Sequence, residues 1–117
     1  MKTVKIIIIS LITVVLGFNT YARIQNSPKI STLKNEVLKV SGNCEMCKAR
    51  IEKAARIDGV SKAEWEPKTK VLAFTYDSAK TSIDLIAKRV AAAGHDNARA
   101  KADDSVYNVL PGCCKYR

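Results

Sequence analysis

Cys44 and Cys47 are the residues of this chain best suited to chemistry: two thiols spaced by two residues, in the run Gly42-Asn43-Cys44-Glu45-Met46-Cys47. At that spacing two thiolates can face one small ion. If a helix begins at the pair, its N-terminus favours negative charge and lowers the thiol pKa. Soft thiolates select soft ions, Cu(I) first, with Zn or Hg also suited to them. The same spacing also serves redox enzymes, zinc ribbons and plain disulfides. A structural zinc site wants four ligands, usually as two such pairs, and a second Cys-x-x-Cys is absent. A thioredoxin-type site lacks its usual Trp-Cys-Gly-Pro-Cys surroundings. A soft-metal site is therefore the leading reading, and a thiol–disulfide oxidoreductase using the same pair is the alternative.

Three further residues are candidate ligands. Cys113 and Cys114 lie near the end of the chain, just after Pro111-Gly112, in a tail long enough to fold back. They read as added thiolate ligands, as disulfide partners of Cys44 and Cys47 or of another chain, or as inert thiols. His95, the only histidine, follows Gly94 at the end of a helical stretch. Neutral imidazole suits Cu and Zn, although a surface histidine at a helix terminus is commoner. Met46 offers a thioether between the two cysteines, and its ordinary role is to cover apolar surface. Lys48 and Arg50 follow the pair, where they either offset the charge of a bis-thiolate complex or form a solvated helix face.

The elements that must position these residues follow from the patterning. Residues 34–40 (KNEVLKV) alternate loosely and read as a strand, after which Ser41-Gly42-Asn43 turns the chain, with Asn43 as a candidate N-cap. From Glu45 to Ile57, Cys47, Ile51, Ala54 and Ala55 recur at helical spacing. Asp58-Gly59 stops that helix, and two strands follow as a hairpin: Val60 to Trp65, then Lys70 to Tyr76 across the turn Glu66-Pro67-Lys68-Thr69. Thr81 or Ser82 caps a second helix to about Ala93, with Ile83, Ile86, Ala87 and Val90 as its apolar stripe and Gly94 as its stop. A final strand is expected from about Asn97 to Ala102. Trp65, Phe74, Ile51, Ile83 and Ile86 are expected to share one core.

That order is βαββαβ, an α+β ferredoxin-like sandwich in which two helices cover one face of a four-stranded antiparallel sheet. The stretch from Val37 to about Ala102, with its Gly-Asn-Cys-Glu-Met-Cys loop, resembles the heavy-metal-associated domain of copper chaperones, metal-pumping ATPases and the periplasmic mercury-binding protein. The family's usual loop, Gly-Met-Thr-Cys-x-x-Cys, has one residue more between glycine and first cysteine, and its methionine packs beneath the loop. The resemblance implies a metallochaperone or scavenger rather than an enzyme. It also places the loop of His95 close to the cysteine loop, where histidine is an added ligand in some members.

Composition sets the surroundings. Lys2 and Lys5 precede the uncharged run IIIISLITVVLGF, too short to span a membrane but suited to a signal peptide over residues 1–22, ending at Thr20-Tyr21-Ala22. The mature chain would be periplasmic or otherwise exported, with no stable membrane insertion after cleavage. Residues 23–33 read as a flexible lead-in, 34–102 as the domain and 103–117 as a cysteine-containing tail. The chain carries a formal net charge of +9, and removing the leader takes away only Lys2 and Lys5, so it stays basic. Export and the lack of basic runs interleaved with aromatics exclude nucleic acid. The expected partner is a metal-transporting or metal-accepting protein with an acidic docking face.

Overall fold

A computed structural model describes residues 31–117, and the expected signal peptide and most of the lead-in lie outside the described residues. The elements run β1 (Leu33–Lys39), α1 (Glu45–Ala55), β2 (Val60–Glu66), β3 (Val71–Asp77), α2 (Ile83–Ala92) and a short α3 (Asp104–Asn108), with a 3₁₀ turn at Gly112–Cys114. Among the described residues no helix is long and apolar enough to cross a membrane.

Among the described residues the sheet has three antiparallel strands in the order β1-β3-β2, with β3 in the middle because it pairs with both neighbours. Leu38 and Trp65 flank Leu72 in register, and Ala63 faces Phe74. These residues are buried while their strand neighbours Lys39, Ala73, Glu64 and Glu66 are exposed, the period-2 signature of a sheet with one face in the core. The helices supply the other layer through Cys47, Ile51 and Ala55 from α1 and Ile86, Ala87 and Val90 from α2. Of the five expected core residues, Trp65, Phe74, Ile51 and Ile86 are buried and Ile83 packs against them partly exposed. Ser82 caps α2, its Oγ accepting from the Leu85 amide at 3.2 Å.

The fold departs from the expected four strands at residues 97–102. Here the chain forms a single bridge, Val40 with Asn97, rather than a strand. Side chains take the amides a ladder would need: Asn97 Oδ1 accepts from Arg99 and Ala100, and Asp96 Oδ1 accepts from Ala102. The segment holds alanines and charged residues with no β-branched side chain, so nothing opposes this local turn.

The tail, in which no element was expected, is built. Leu110 packs directly over Gly94, whose φ of +107° terminates α2; a Cβ there would lie 2.8 Å from Leu110 Cδ2. Tyr107, Leu110 and Cys114 are buried in the same core as the sheet and helices.

Candidate metal centre

The cysteine loop is fixed from below and from both sides. Trp65 is fully buried beneath it, its Nε1 donating to the Val40 carbonyl at 3.1 Å. Gly42 leaves room for this close packing, since a Cβ would come within 3.1 Å of the indole and 3.2 Å of Cys47 Cβ. Lys70, in the hairpin turn, reaches back so that its Nζ donates to the Gly42 carbonyl, with the ammonium 5.5 Å from the Trp65 ring. Cys44 rather than Asn43 is the N-cap of α1. Asn43 is turned outward, and its Nδ2 donates to the Lys115 carbonyl at 2.8 Å, tying the loop to the tail.

The tail is pinned on both sides of its cysteines. Tyr116 Oη donates to the Gly94 carbonyl at 2.7 Å and accepts from the Asp96 amide, also at 2.7 Å. Its ring stacks on His95 and meets Tyr107 edge-on. Arg117 makes a two-pronged pair with Asp96 (2.8 and 3.1 Å), bonds Asp104 at 2.7 Å and lies over the Tyr107 ring. The Arg117 guanidinium holds the Asp96 carboxyl below the usual carboxylate range. Lys115 Nζ donates to the Tyr107 and Asn108 carbonyls at the end of α3.

This scaffold brings all four cysteines together. Cys44 Sγ lies 3.4 Å from Cys47 Sγ, 2.8 Å from Cys113 Sγ and 3.6 Å from Cys114 Sγ, while Cys113 and Cys114 are 4.0 Å apart. The sulfurs of Cys44, Cys47 and Cys114 all fall within 4.8 Å of one another. All four are free thiols; Cys47 and Cys114 are buried, Cys44 half-buried and Cys113 exposed. The hydrogen bond that Cys44 shares with Cys113 lowers the Cys44 pKa to about 6, with a smaller effect from the Cys47 amide. That same bond raises the Cys113 pKa, and burial pushes Cys114 far up.

His95 and Lys48 have other partners. His95 is fully buried, not on the surface, and is not part of the three-sulfur set. Its Nδ1 lies 2.8 Å from the Ser41 carbonyl, to which it donates as the neutral ring, and burial lowers its pKa. Lys48 is committed to the Trp65 carbonyl at 2.9 Å and to Glu52 at 3.2 Å. Sequence reasoning missed Lys70, Asp96 and Arg117 as site-building residues. Their long-range partners leave no local pattern, although an Arg that ends a tail beside two cysteines was a signal to weigh.

Comparison with known proteins points to one family. The family model described as heavy-metal-associated domain matches residues 37–96. The mercuric transport protein periplasmic component of Shewanella putrefaciens is 36% identical over 70 residues, which are 59% of this chain and 72% of that protein. Among solved structures, a CopZ metallochaperone superposes with a TM-score of 0.53 at 29% identity, covering 55% of this chain and 98% of that one. The N-terminal domain of the zinc(II) ATPase ZiaA in its apo form gives 0.51 at 36% identity, covering 58% and 99%. The family-model match stops at Asp96, the residue that receives Arg117, so Cys113 and Cys114 lie beyond it. With half of its residues inside the family model and a fold common to metal-binding relatives, this chain belongs to the heavy-metal-associated domain family.

Proposed function

We propose that this protein is an exported carrier of a thiophilic metal ion, Cu(I) before Zn or Hg, which it binds through Cys44 and Cys47 with Cys114 as a third thiolate. The observation that carries this reading is the clustering of those three sulfurs. Three thiolates each about 2.3 Å from a common ion stand about 4 Å apart, so the apo arrangement needs little adjustment to close on one. Three soft donors favour Cu(I) or Hg over Zn, which takes four ligands in structural sites. Binding draws protons from Cys114 and any other protonated thiol into solvent, so loading strengthens as pH rises.

Export rests on the leader-like residues 1–22, with the lead-in at 23–33, the domain at 34–102 and the tail at 103–117 serving the metal site. The periplasmic description of the Shewanella relative supports the same compartment. The ion would pass to a metal-accepting protein with an acidic face, matched to the basic surface of this chain. Anaerobic titration of the reduced protein against a Cu(I) chelator tests the reading. The Cys44→Ser/Cys47→Ser double variant should lose tight binding while keeping its circular dichroism, and unchanged affinity in that variant would sink it.

A second reading is favoured by one observation. Cys44, with its pKa at about 6 and the Cys113 sulfur beside it, has the nucleophile and the neighbour that thiol–disulfide exchange requires. Turnover of insulin disulfides with a regenerating thiol, together with weak Cu(I) binding, would select it.

A further inference from the structure

Met46 stands outside the three-sulfur set, yet its sulfur is not idle. The side chain is 55% exposed on the first turn of α1, rising from the rim where Cys47, one residue on, enters the core. Isolated exposed methionines are ordinary. This one is met by a thiol from the far end of the chain: Cys113 Sγ donates to Met46 Sδ at 3.7 Å. Cys113 is itself exposed, and its sulfur is 2.8 Å from Cys44 Sγ. The rim therefore carries a second group of soft donors, Met46, Cys113 and Cys44, which shares Cys44 with the deeper group of Cys44, Cys47 and Cys114.

We propose that Met46 and Cys113, with Cys44 as the shared thiolate, form an outer soft-metal station in front of the inner one. The proposal rests on the metal-carrier reading above and deepens it. A neutral thioether beside two thiolates is a donor set for Cu(I) or Ag(I), and it discriminates against Zn(II). The exposed station is where an ion first meets the protein. Transfer inward is ligand exchange: the bonds to Met46 and Cys113 break as those to Cys47 and Cys114 form, and Cys44 stays bound throughout. The metal keeps its oxidation state, Cys47 and Cys114 release any protons they carry to solvent, and the vacated Cys113 thiolate takes one up. At saturation the chain holds two ions bridged by Cys44.

The test is anaerobic native mass spectrometry of the fully reduced protein with excess Cu(I), paired with chelator competition for each affinity. The expected species is a monomer with two Cu(I), the second held about tenfold or more weakly, since it has a thioether in place of a thiolate. Met46→Leu and Cys113→Ser should each cap the stoichiometry at one, and Met46→Leu should leave the first affinity within about threefold. Both positions are exposed, so circular dichroism should be unchanged. With Zn(II) as the probe, Met46→Leu should alter nothing. A wild-type monomer that saturates at one ion overturns the outer station, as does a second ion that survives in both variants or that appears only at the mass of a dimer. A protein that takes up no Cu(I) at all overturns the carrier function itself, which the first binding step reports separately.

Discussion

Replacing Gly94 with Ala should unseat the tail, and the size of the effect follows from two local facts. The backbone there has φ of +107°, a conformation that L-residues adopt only at a cost of about 1–2 kcal/mol. The new methyl would also lie 2.8 Å from Leu110 Cδ2 and 3.1 Å from both Cδ1 and Cγ, and such overpacking adds about 1–3 kcal/mol. Gly94→Ala should therefore destabilise by about 2–5 kcal/mol, a large share of the stability of a small domain. Leu110→Ala separates the two contributions, because it removes the clash and leaves the backbone penalty in place. Denaturant unfolding of the four proteins of this cycle, kept reduced and followed by the emission of the single tryptophan, Trp65, gives the coupling directly. A coupling of about 1–3 kcal/mol is expected, and Cu(I) retention should fall in Gly94→Ala as Cys114 is displaced. If the two substitutions add to within about 0.5 kcal/mol, Leu110 does not bear on Gly94 and the seating of the tail has been misread.

Four further outcomes follow. Deleting residues 112–117 removes Cys113, Cys114 and the Arg117 anchor, so dissociation of Cu(I) to a chelator should quicken; an unchanged rate would take the tail out of the site. His95 is held neutral by burial, with its folded pKa below the unfolded value of about 6.5, so stability should be full above that value and fall as pH drops through the folded pKa. His95→Gln should flatten that part of a pH–stability profile measured by urea unfolding. Asp96 is depressed by Arg117, so its contribution persists above about 3.9 and is lost as pH falls through the lower folded value; Arg117→Gln should shrink this acid-side loss. Mild oxidation of the apo protein with diamide should first join Cys44 to Cys113, the nearest pair, and peptide mapping that finds only Cys44–Cys47 would contradict it.

The helices and the hairpin were legible because their signals are local. The stripe through Cys47, Ile51 and Ala55 and the alternation through Leu72, Phe74 and Tyr76 are written in consecutive residues, and tertiary packing agrees with both. Cys44 and Cys47 were legible for the same reason. The fourth strand was expected over residues 97–102, where the side chains argue otherwise: Asp96 and Asn97 satisfy the amides of Arg99, Ala100 and Ala102 within one turn. Asn43 looked like a cap on residue type alone, but its amide is spent on Lys115, 72 positions away. His95 was weighed as a surface residue because nothing nearby in sequence announces that Tyr116 will cover it. The tail was the least legible part. Its meaning lies in pairs such as Arg117 with Asp96 and Leu110 with Gly94, each side of which is unremarkable until the two are brought together.

Cys44 and Cys114 are 70 positions apart in the chain, and their sulfurs are 3.6 Å apart in space. An ion held by both is a removable cross-link that closes most of the described domain into a loop. By the entropy of closing a loop of that length, such a link is worth about 4 kcal/mol against unfolding while the ion stays on both segments in the unfolded chain. An ion held by Cys44 and Cys47 alone closes almost no loop and confers almost none of this. The loaded protein should thus outlast the empty one under heat and proteases, and its lifetime becomes a gauge of how much metal it carries.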